Sequence, residues 1–453
     1  MSDLANDTIA AISTPPGRGG IGILRLSGPD ARAVALPLLK LRHSLAHGQA
    51  RFAEVLDVED NAVLDEAIVT FFESPNSYTS EDIVEIAAHG SPVLLNHILR
   101  SCIRNGARLA EPGEFTQRAF LAGRLDLTQA EAVHDLIEST TLHQARVAAQ
   151  QLGGALSRQI APIKEKLVHL IATLEAGIDF AEDDIDLLPA AEIIAQIEAV
   201  QAPLRALEET FGYGRIVRDG FTLAIVGRPN AGKSSLFNCL VQRDRAIVTA
   251  APGTTRDLVT ERVSLEGIPL ELIDTAGLRD ATDEAETIGI AKSREAMAEA
   301  DIVLLVLDAT APLHAEDEAA IAAHTARPLL IAVNKRDLAP SSRLLEHSSH
   351  TAIATSALTG EGVAELRSAI LGVITAGAPS SDTALLTNLR QQQAVSNSLA
   401  ALSRAHRAVN AAIPHEMLLL DLYESLQSLD ALTGVTTTDD IIHLIFSTFC
   451  IGK

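Results

Sequence analysis

One short stretch of the chain has the residue types and spacing of a phosphate-binding loop. Residues 227–234 read Gly-Arg-Pro-Asn-Ala-Gly-Lys-Ser, which matches the pattern GxxxxGKS. They follow an apolar run at 221–226 and precede a helical run at 235–241, the strand–loop–helix context that this pattern requires. Backbone N–H groups of such a loop surround a phosphate, and the helix N-terminus adds free donors. Lys233 would neutralise the β- and γ-phosphates, and the Ser234 hydroxyl would ligate Mg²⁺.

Three further motifs follow this P-loop, each after an apolar run. The motif Asp-Thr-Ala-Gly places Asp274 near Mg²⁺ and the N–H of Gly277 near the γ-phosphate. The motif Asn-Lys-Arg-Asp at 334–337 supplies base recognition, because the carboxylate of Asp337 accepts from the ring N–H and the exocyclic amine of guanine. Adenine lacks this pair of donors. With main-chain contacts from Ser-Ala-Leu at 356–358, the four motifs predict a domain that binds GTP rather than ATP.

The residues that could catalyse GTP hydrolysis lie on either side of the Asp-Thr-Ala-Gly motif. Residues 253–257 read Gly-Thr-Thr-Arg-Asp, where a switch loop belongs, and Thr255 is the expected second hydroxyl ligand of Mg²⁺. Ras-type GTPases place a water-orienting Gln where this chain has Leu278, so another group must orient the water. The acidic candidates are Asp283, Glu284 and Glu286. Asn230 in the P-loop is a candidate ligand for a monovalent cation, which predicts faster GTP hydrolysis in K⁺ than in Na⁺.

The remaining sequence indicates several domains with aliphatic cores. Of 453 residues, 47% are apolar and only 3% aromatic, which favours helices packed on helices and on sheets. Residues 1–120 predict a small α+β or α/β domain, and residues 217–378 alternate strands with helices, as in a doubly wound, mostly parallel sheet. Residues 121–216 and 379–453 are mainly helical. The simplest architecture, α/β and α in class, inserts the α/β module into one helical domain made of two chain segments.

Two local patterns predict specific structure. Residues 14–20 read Thr-Pro-Pro-Gly-Arg-Gly-Gly and predict a loop rather than a helix or a central strand. Apolar residues at three- and four-residue spacing over 156–174 predict a long helix. The acidic residues at 179–186 that follow are interpreted as a solvated helix edge or loop, with a cation or partner site as the alternative.

Composition excludes several classes of protein. Lys and Arg total 36 against 59 Asp and Glu, and the formal net charge of -23 argues against a non-specific nucleic-acid coat protein. The chain has three cysteines, which lie far apart in sequence: Cys102, Cys239 and Cys450. Their number is odd and no two form a CxxC pair, which excludes a disulfide framework and a cysteine zinc site. The opening Met1-Ser2-Asp3 lacks a signal region, and no apolar run could span a bilayer. We therefore expect a soluble, cytoplasmic protein without a membrane partner.

Several stretches of the chain together resemble the family of tRNA-modification GTPases called MnmE or TrmE. They are TPPGRGGIGILRLSG, PGEFTQRAFLAGRLDLTQAEAV, GRPNAGKSSLFN, PGTTRD, DTAGLRD and the terminal FCIGK. The resemblance implies an N-terminal domain, 1–120, that binds tetrahydrofolate and forms a homodimer. It also implies a helical domain in two parts, 121–216 and 379–453, and an inserted Ras-like GTPase domain, 217–378, that dimerises in a K⁺-dependent way.

The resemblance also implies an activity. Members act with a flavoprotein called MnmG or GidA, which uses FAD and NADH, in a heterotetramer or larger complex. They install a (carboxymethyl)aminomethyl-type group at carbon 5 of the wobble uridine of certain tRNAs, and a 5-formyl- or methylene-tetrahydrofolate derivative supplies the one-carbon unit. The alternative hypothesis is a regulatory GTP switch that binds the ribosome or a partner and has no part in covalent tRNA chemistry.

Roles for individual residues follow from the same resemblance. Glu286 matches the glutamate that orients the attacking water, and Ser234 and Thr255 match the Mg²⁺ ligands. The K⁺ ligands would be Asn230, Thr249, Ala251 and Thr254. The folate site would be formed by Arg25, Glu85, Arg124 and Lys453, with a carboxylate for pterin N–H groups and cations for an anionic tail. The GTP-binding residues would be Asn230, Ala231, Gly232, Lys233, Ser234, Ser235, Thr249, Thr254, Thr255, Asp274, Gly277, Asn334, Lys335, Asp337, Ser356, Ala357 and Leu358.

Cys450 has two interpretations. The family places a cysteine here, close to the folate pocket, where it is a candidate for catalysis. The apolar residues that precede it allow a buried structural thiol instead. Cys102 and Cys239 lie in apolar helical runs and are expected in the core.

The acidic charge limits what this chain contributes to tRNA binding. A partner must supply much of the phosphate contact, with local help from residues near Arg390, Arg404 and Arg407. We therefore expect weak, salt-sensitive tRNA binding by this protein alone.

Overall fold

The computed structural model describes residues 7–179, 188–242, 259–274, 300–323, 328–340, 351–375, 384–435, 442 and 445–452. The chain divides into two compact units, each assembled from separate segments. The first consists of Met1–His134, Gln151–Ala161 and Leu426–Lys453, and the second of Asp135–Gln150 and Pro162–Ser425.

The first unit contains a seven-stranded, mostly antiparallel sheet. Its strands are β1 (Ile9–Ile12), β2 (Gly19–Ser27), β3 (Leu39–Leu41), β4 (Ala50–Leu56), β5 (Val63–Phe72), β6 (Ile83–Gly90) and β7 (Arg108–Leu109). They lie in the order β3-β4-β5-β6-β2-β1-β7, and only the β1–β7 pair is parallel. Helices α1 (Ala31–Ala35) and α2 (Pro92–Arg104) bury Val34 and Ile98 against strand residues such as Leu24 and Ile86. This is the α+β arrangement predicted for the N-terminal segment.

The prediction of a loop over residues 14–20 is wrong for its last two residues. Gly19 and Gly20 belong to β2, a central strand, where Gly19 pairs with Gly90 of β6. The two backbones approach so closely that a Cβ on Gly90 would lie 2.6 Å from the carbonyl oxygen of Gly19. Strand packing therefore requires glycine at position 90, whereas a Cβ on Gly20 would meet nothing within 4 Å.

Aromatic packing joins the C-terminal residues to the rest of the first unit. Helices α3 (Glu114–Leu121) and α4 (Leu127–Glu138) contribute Phe120 and Ala130 to a cluster with Phe446 and Phe449. The ring centroids of Phe446 and Phe449 are 5.4 Å apart. The N–H of Gly113 donates to the carbonyl oxygen of Cys450 over 3.3 Å, so the last described residues lie against the loop that precedes α3.

The second unit contains a six-stranded sheet with helices on both faces. Strands β8 (Phe221–Val226), β9 (Val259–Leu265), β10 (Ile268–Asp274), β11 (Ile302–Asp308), β12 (Leu329–Asn334) and β13 (Ala352–Ala354) lie in the order β13-β12-β11-β8-β10-β9. All pairs are parallel except the β9–β10 hairpin. Helices α9 (Lys233–Gln242) and α11 (Val363–Ile374) pack on one face, and α10 (Ala315–Ala323) packs on the other. The doubly wound sheet is confirmed, and β9 is a strand that the sequence patterns did not predict.

The other helices of the chain form the helical part of the fold. Their bounds are α5 (Leu142–Leu152), α6 (Ala155–Asp179), α7 (Ala190–Glu209), α8 (Phe211–Asp219), α12 (Leu389–Asn410) and α13 (His415–Thr433). Helix α6 confirms the long helix, and its predicted apolar stripe is buried. Helix α7 packs on α12, where Gln201 Nε2 donates to Ser403 Oγ over 3.2 Å. Among the helices in the described ranges, none is both long enough and apolar enough to cross a membrane.

Candidate functional site

The predicted nucleotide-binding motifs converge at the carboxyl edge of the parallel sheet. Asp274, the last residue of β10, pairs with Ile225 of β8, two residues before the P-loop. Asp308, the last residue of β11, pairs with Asn334 of β12. Ligands of doubly wound sheets bind at this edge, because the loops that follow parallel strands meet there.

The P-loop is closed by hydrogen bonds from its own lysine. Lys233 Nζ donates to the carbonyl oxygens of Gly227 and Arg228 over 2.8 and 2.9 Å. The ammonium group is therefore held over the loop at the start of α9, where free helix N–H groups also favour an anion. Gly232 has φ of +94°, and a Cβ there would lie 2.2 Å from Asn334 Nδ2. Only glycine fits this contact between two motifs.

The buried amide of Asn334 connects three of the motifs. Its Nδ2 donates to the carbonyl oxygen of Ala231 over 3.0 Å, and its Oδ1 accepts from the N–H of Ala357 over 3.0 Å. The residue is only 2% exposed. Sequence reasoning placed Asn334 among the nucleotide contacts, whereas the structure gives it a bridging role between the P-loop and the Ser-Ala-Leu loop.

Asp337, which is predicted to recognise the guanine base, forms a hydrogen bond with the Ser-Ala-Leu motif. The buried hydroxyl of Ser356 donates to Asp337 Oδ1 over 2.7 Å, which fixes the plane of the carboxylate. Leu358 is 86% exposed beside it. A fixed carboxylate next to main-chain donors is suited to recognising a guanine edge.

Asp308 is a functional neighbour that the sequence motifs did not reveal. Lys335 has φ of +64°, and its Nζ lies 2.7 Å from Asp308 Oδ2. Burial acts to raise the pKa of Asp308, but hydrogen bonds from Lys335 and Thr310 hold it below its ordinary value. This ion pair joins the ends of β11 and β12. The position of Asp308, an acidic residue at the end of an apolar strand, is the sequence feature that could have identified it as part of the site.

Several predicted site residues lie outside the described residues. They are Thr249, Ala251, Thr254, Thr255, Gly277, Glu286 and Lys453, and the side chain of Asp274 is also undescribed. Of the proposed metal ligands, Ser234 and Asn230 are described and both are exposed at the P-loop. Within the described ranges, no group of three or more His, Cys, Asp or Glu side chains could hold a metal ion.

A second candidate site lies in the first unit, where three of the four predicted folate residues come together. An open cleft of about 630 Å³ is lined by Glu85 and Arg124, among other residues. Arg25 forms an ion pair with Glu85 across the β2–β6 register, with a distance of 2.7 Å between Nη2 and Oε1. The carboxylate and two cations thus occupy one region, as the resemblance implied.

Tyr78 organises these cations, although sequence reasoning did not identify it. The guanidinium carbons of Arg25 and Arg124 lie 5.8 and 5.5 Å from the centre of its ring. Burial raises the pKa of Tyr78, and a hydrogen bond with Thr116 and the two nearby arginines only partly offset this effect. Cation–π contacts of this kind orient both guanidinium groups around one aromatic wall of the cleft.

A buried ion network supports α3 behind this cleft. Arg118 is 5% exposed, and its guanidinium lies within 2.6–3.2 Å of carboxylate oxygens of Asp7, Glu81 and Glu114. Arg108 also pairs with Glu114 over 2.7 Å. A buried charge is tolerated where such partners surround it. This network was not predicted, because Asp7 and Glu81 are far in sequence from the other three members.

The cysteines differ in their environments. Cys102 is fully buried as predicted, and burial raises the pKa of its thiol to about 12. Cys239 packs beside the core of the second unit but is only partly buried. Cys450 is exposed, so its interpretation as a buried structural thiol is wrong.

Comparison with known proteins covers nearly the whole chain. The family models "GTP-binding protein TrmE N-terminus" and "MnmE helical domain" match residues 8–124 and 127–450. Proteins named "tRNA modification GTPase MnmE" are similar: that of Koribacter versatilis is 58% identical and that of Acetivibrio thermocellus 39%, each over 99% of both chains. Among solved structures, the G domain of the T. maritima FeoB iron transporter is 28% identical and covers 34% of this chain and 98% of its own, with a TM-score of 0.26. The chain therefore belongs to the MnmE (TrmE) family of tRNA modification GTPases.

Proposed function

We propose that this protein is the GTP-hydrolysing component of the complex that modifies carbon 5 of the wobble uridine in certain tRNAs. The observation that carries the proposal is the 58% identity to a tRNA modification GTPase over 99% of the chain. The product is a (carboxymethyl)aminomethyl-type group. The flavoprotein MnmG (GidA) is the partner and brings FAD and NADH, and the active assembly is a heterotetramer or larger complex built on a homodimer of this chain.

Each nucleotide-binding motif has its own task in this proposal. Lys233 and the start of α9 hold the phosphates, and Ser234 with Thr255 holds Mg²⁺. Asp337, oriented by Ser356, reads guanine. Asn230, with Thr249, Ala251 and Thr254, would hold K⁺, whose positive charge would offset the negative charge of the phosphates. Since Leu278 cannot orient water, Glu286 takes that role.

We infer that the cleft of the first unit binds a tetrahydrofolate derivative. Glu85 would accept from pterin N–H groups, while Arg25, Arg124 and Lys453 would supply positive charge for the anionic tail. The ion pair between Arg25 and Glu85 supports this assignment, because it holds a carboxylate and a cation at the cleft before a ligand binds. The bound folate derivative supplies the one-carbon unit.

The tRNA is bound mainly by the flavoprotein. The net charge of -23 opposes strong binding of a polyanion by this chain. Arg404 is already engaged by two carboxylates, Asp421 at 2.7 Å and Glu424 at 2.5 Å. This leaves Arg404 less suited than expected to phosphate contact. We expect weak tRNA binding that disappears at moderate salt.

Nucleoside analysis of tRNA tests the proposal directly. Mass spectrometry of tRNA from a deletion strain should show loss of the wobble-uridine modification, and the gene should restore it. An intact pattern would instead favour the alternative, a regulatory GTP switch without covalent tRNA chemistry. The variant Cys450→Ser tests the exposed thiol in the same assay, where unchanged modification would exclude a chemical role.

A further inference from the structure

A cysteine side chain on α9 contacts the loop that follows β13. Cys239 lies six residues after the P-loop lysine, and its Sγ is 3.0 Å from the carbonyl oxygen of Ala357. A thiol is a weak donor and a carbonyl oxygen is an acceptor, so the S–H donates to the main chain of the Ser-Ala-Leu motif. Helix α9 therefore contacts two loops: the P-loop at the N-terminus of the helix, and the Ser-Ala-Leu loop about two helical turns further on.

The main chain around Ala357 is restrained from two directions. Its N–H donates to Asn334 Oδ1, and its carbonyl oxygen accepts from Cys239. In a trans peptide the C=O and the following N–H point in opposite directions. The thiol therefore fixes the plane of the peptide between Ala357 and Leu358, and it turns the N–H of Leu358 away from α9.

We propose that Cys239 is a positioning residue for guanine recognition. By holding the carbonyl oxygen of Ala357, it aims the adjacent main-chain N–H at the O6 acceptor of the base. The inference rests on the proposed binding of guanine nucleotides and adds a residue that none of the four motifs contains. An apolar residue of similar size would fill the same space without holding the peptide.

The first test compares substitutions at position 239. Cys239→Ala and Cys239→Val remove the donor, and valine retains most of the packing volume. Both variants should raise the Kd for GDP about twofold to tenfold, the effect of one net hydrogen bond. Cys239→Ser keeps an O–H donor and should recover most of the affinity. Cys102→Ala removes a thiol in the other unit and should leave the Kd for GDP unchanged.

The second test separates positioning from general damage to the site. The diphosphate of 2-aminopurine riboside keeps the phosphates and the exocyclic amine of GDP but lacks O6 and, with it, the N1–H that Asp337 accepts, so it binds every variant more weakly than GDP does. Its Kd should be the same for the wild type and Cys239→Ala, because the affected contact is absent. An equal loss for both nucleotides, or no loss for GDP, would overturn the inference. Failure of the wild type to bind GDP would contradict the proposed function instead.

Discussion

Asn334 Nδ2 donates to the carbonyl oxygen of Ala231 over 3.0 Å, so the phosphate-binding and base-binding loops are joined by one buried amide. The other end of the amide accepts from Ala357. The two halves of the nucleotide site are therefore held in place relative to each other by a contact within the protein. A change at this amide must affect both the stability of the protein and its binding of nucleotide.

Replacing Asn334 with alanine should weaken both properties. The carbonyl oxygen of Ala231 and the N–H of Ala357 would lose their partner in a region where Asn334 is 2% exposed. We expect a destabilisation of about 1–3 kcal/mol for each group left unpaired and a rise of about tenfold or more in the Kd for GDP. Thermal unfolding and fluorescence titration measure the two effects. The matched control is Asn410→Ala at an exposed helix end, which should change neither.

Substitution of Asp337 with asparagine should change the preferred base from guanine to xanthine. The amide Oδ1 can still accept from Ser356, while Nδ2 replaces an acceptor with a donor. Xanthine presents a carbonyl where guanine has its exocyclic amine, so the new donor matches it. Competition between GDP and xanthosine diphosphate measures the preference. A variant that still prefers GDP would contradict the role of Asp337 as base reader.

The sequence motifs of the nucleotide site are local, whereas the residues around the cleft of the first unit come from separate segments. The P-loop and the loops at 334–337 and 356–358 are contiguous segments that follow strands, so local spacing reveals them. Tyr78, by contrast, meets Arg25 and Arg124 only through tertiary packing. No local pattern indicates such a contact.

The same distinction explains the errors. Gly19 and Gly20 have the composition of a loop, but β2 begins at Gly19, which pairs with Gly90 of β6. Strand β9 lies at the edge of its sheet and has three consecutive polar residues at 260–262, which break the alternation that identifies a strand in sequence. The exposure of Cys450 depends on where the last residues dock, which the preceding apolar run does not determine.

The stability of the first unit should depend on acid pH through Glu114. Burial alone would raise the pKa of Glu114, but bonds from Arg108, the N–H of Glu111 and Arg118 outweigh it and hold the pKa below its ordinary 4.5. A depressed carboxyl pKa contributes stability above the unfolded value, and this is lost as the pH falls through the folded value. Thermal unfolding should therefore shift to lower temperature as the pH falls below 4.5.

Glu114→Gln tests this dependence. The variant should be less stable near neutral pH, by about 1–3 kcal/mol, and its unfolding should change less between pH 5 and pH 3 than that of the wild type. Glu59→Gln is the control, because Glu59 is 73% exposed in its pair with Arg104 and should leave the acid dependence unchanged. An identical acid dependence in wild type and Glu114→Gln would assign the effect to other carboxylates.

The GTPase rate should depend on the monovalent cation through Asn230. The residue is exposed at the P-loop with φ of +60°, so its side chain is available to a cation beside the phosphates. We expect faster hydrolysis in K⁺ than in Na⁺, and Asn230→Ala should remove most of that difference while GDP still binds. Steady-state rates in matched chloride salts measure it. Equal rates of the wild type in both salts would exclude a K⁺ site.

The tight turn between β9 and β10 should be sensitive to any side chain at Gly267. The turn residues Glu266 and Gly267 have φ of +51° and +87°, as in hairpins whose twist matches the flanking strands. A Cβ on Gly267 would lie 2.8 Å from the Cβ of His143, and the Gly267 carbonyl oxygen accepts from Thr141 Oγ1 over 2.5 Å. Gly267→Ala therefore combines backbone strain with a clash against the start of α5.

We expect Gly267→Ala to destabilise the second unit by about 2–4 kcal/mol, of which about 1 kcal/mol comes from the positive φ. Gly360→Ala separates the two contributions, because Gly360 has φ of +80° but a Cβ there would meet nothing within 4 Å, so only the strain remains. Thermal unfolding of both variants measures the difference. If the two substitutions were equally destabilising, the contact between this hairpin and α5 would contribute nothing. A larger loss for Gly267→Ala shows that the contact between the β9–β10 turn and the start of α5 contributes to the stability of the second unit.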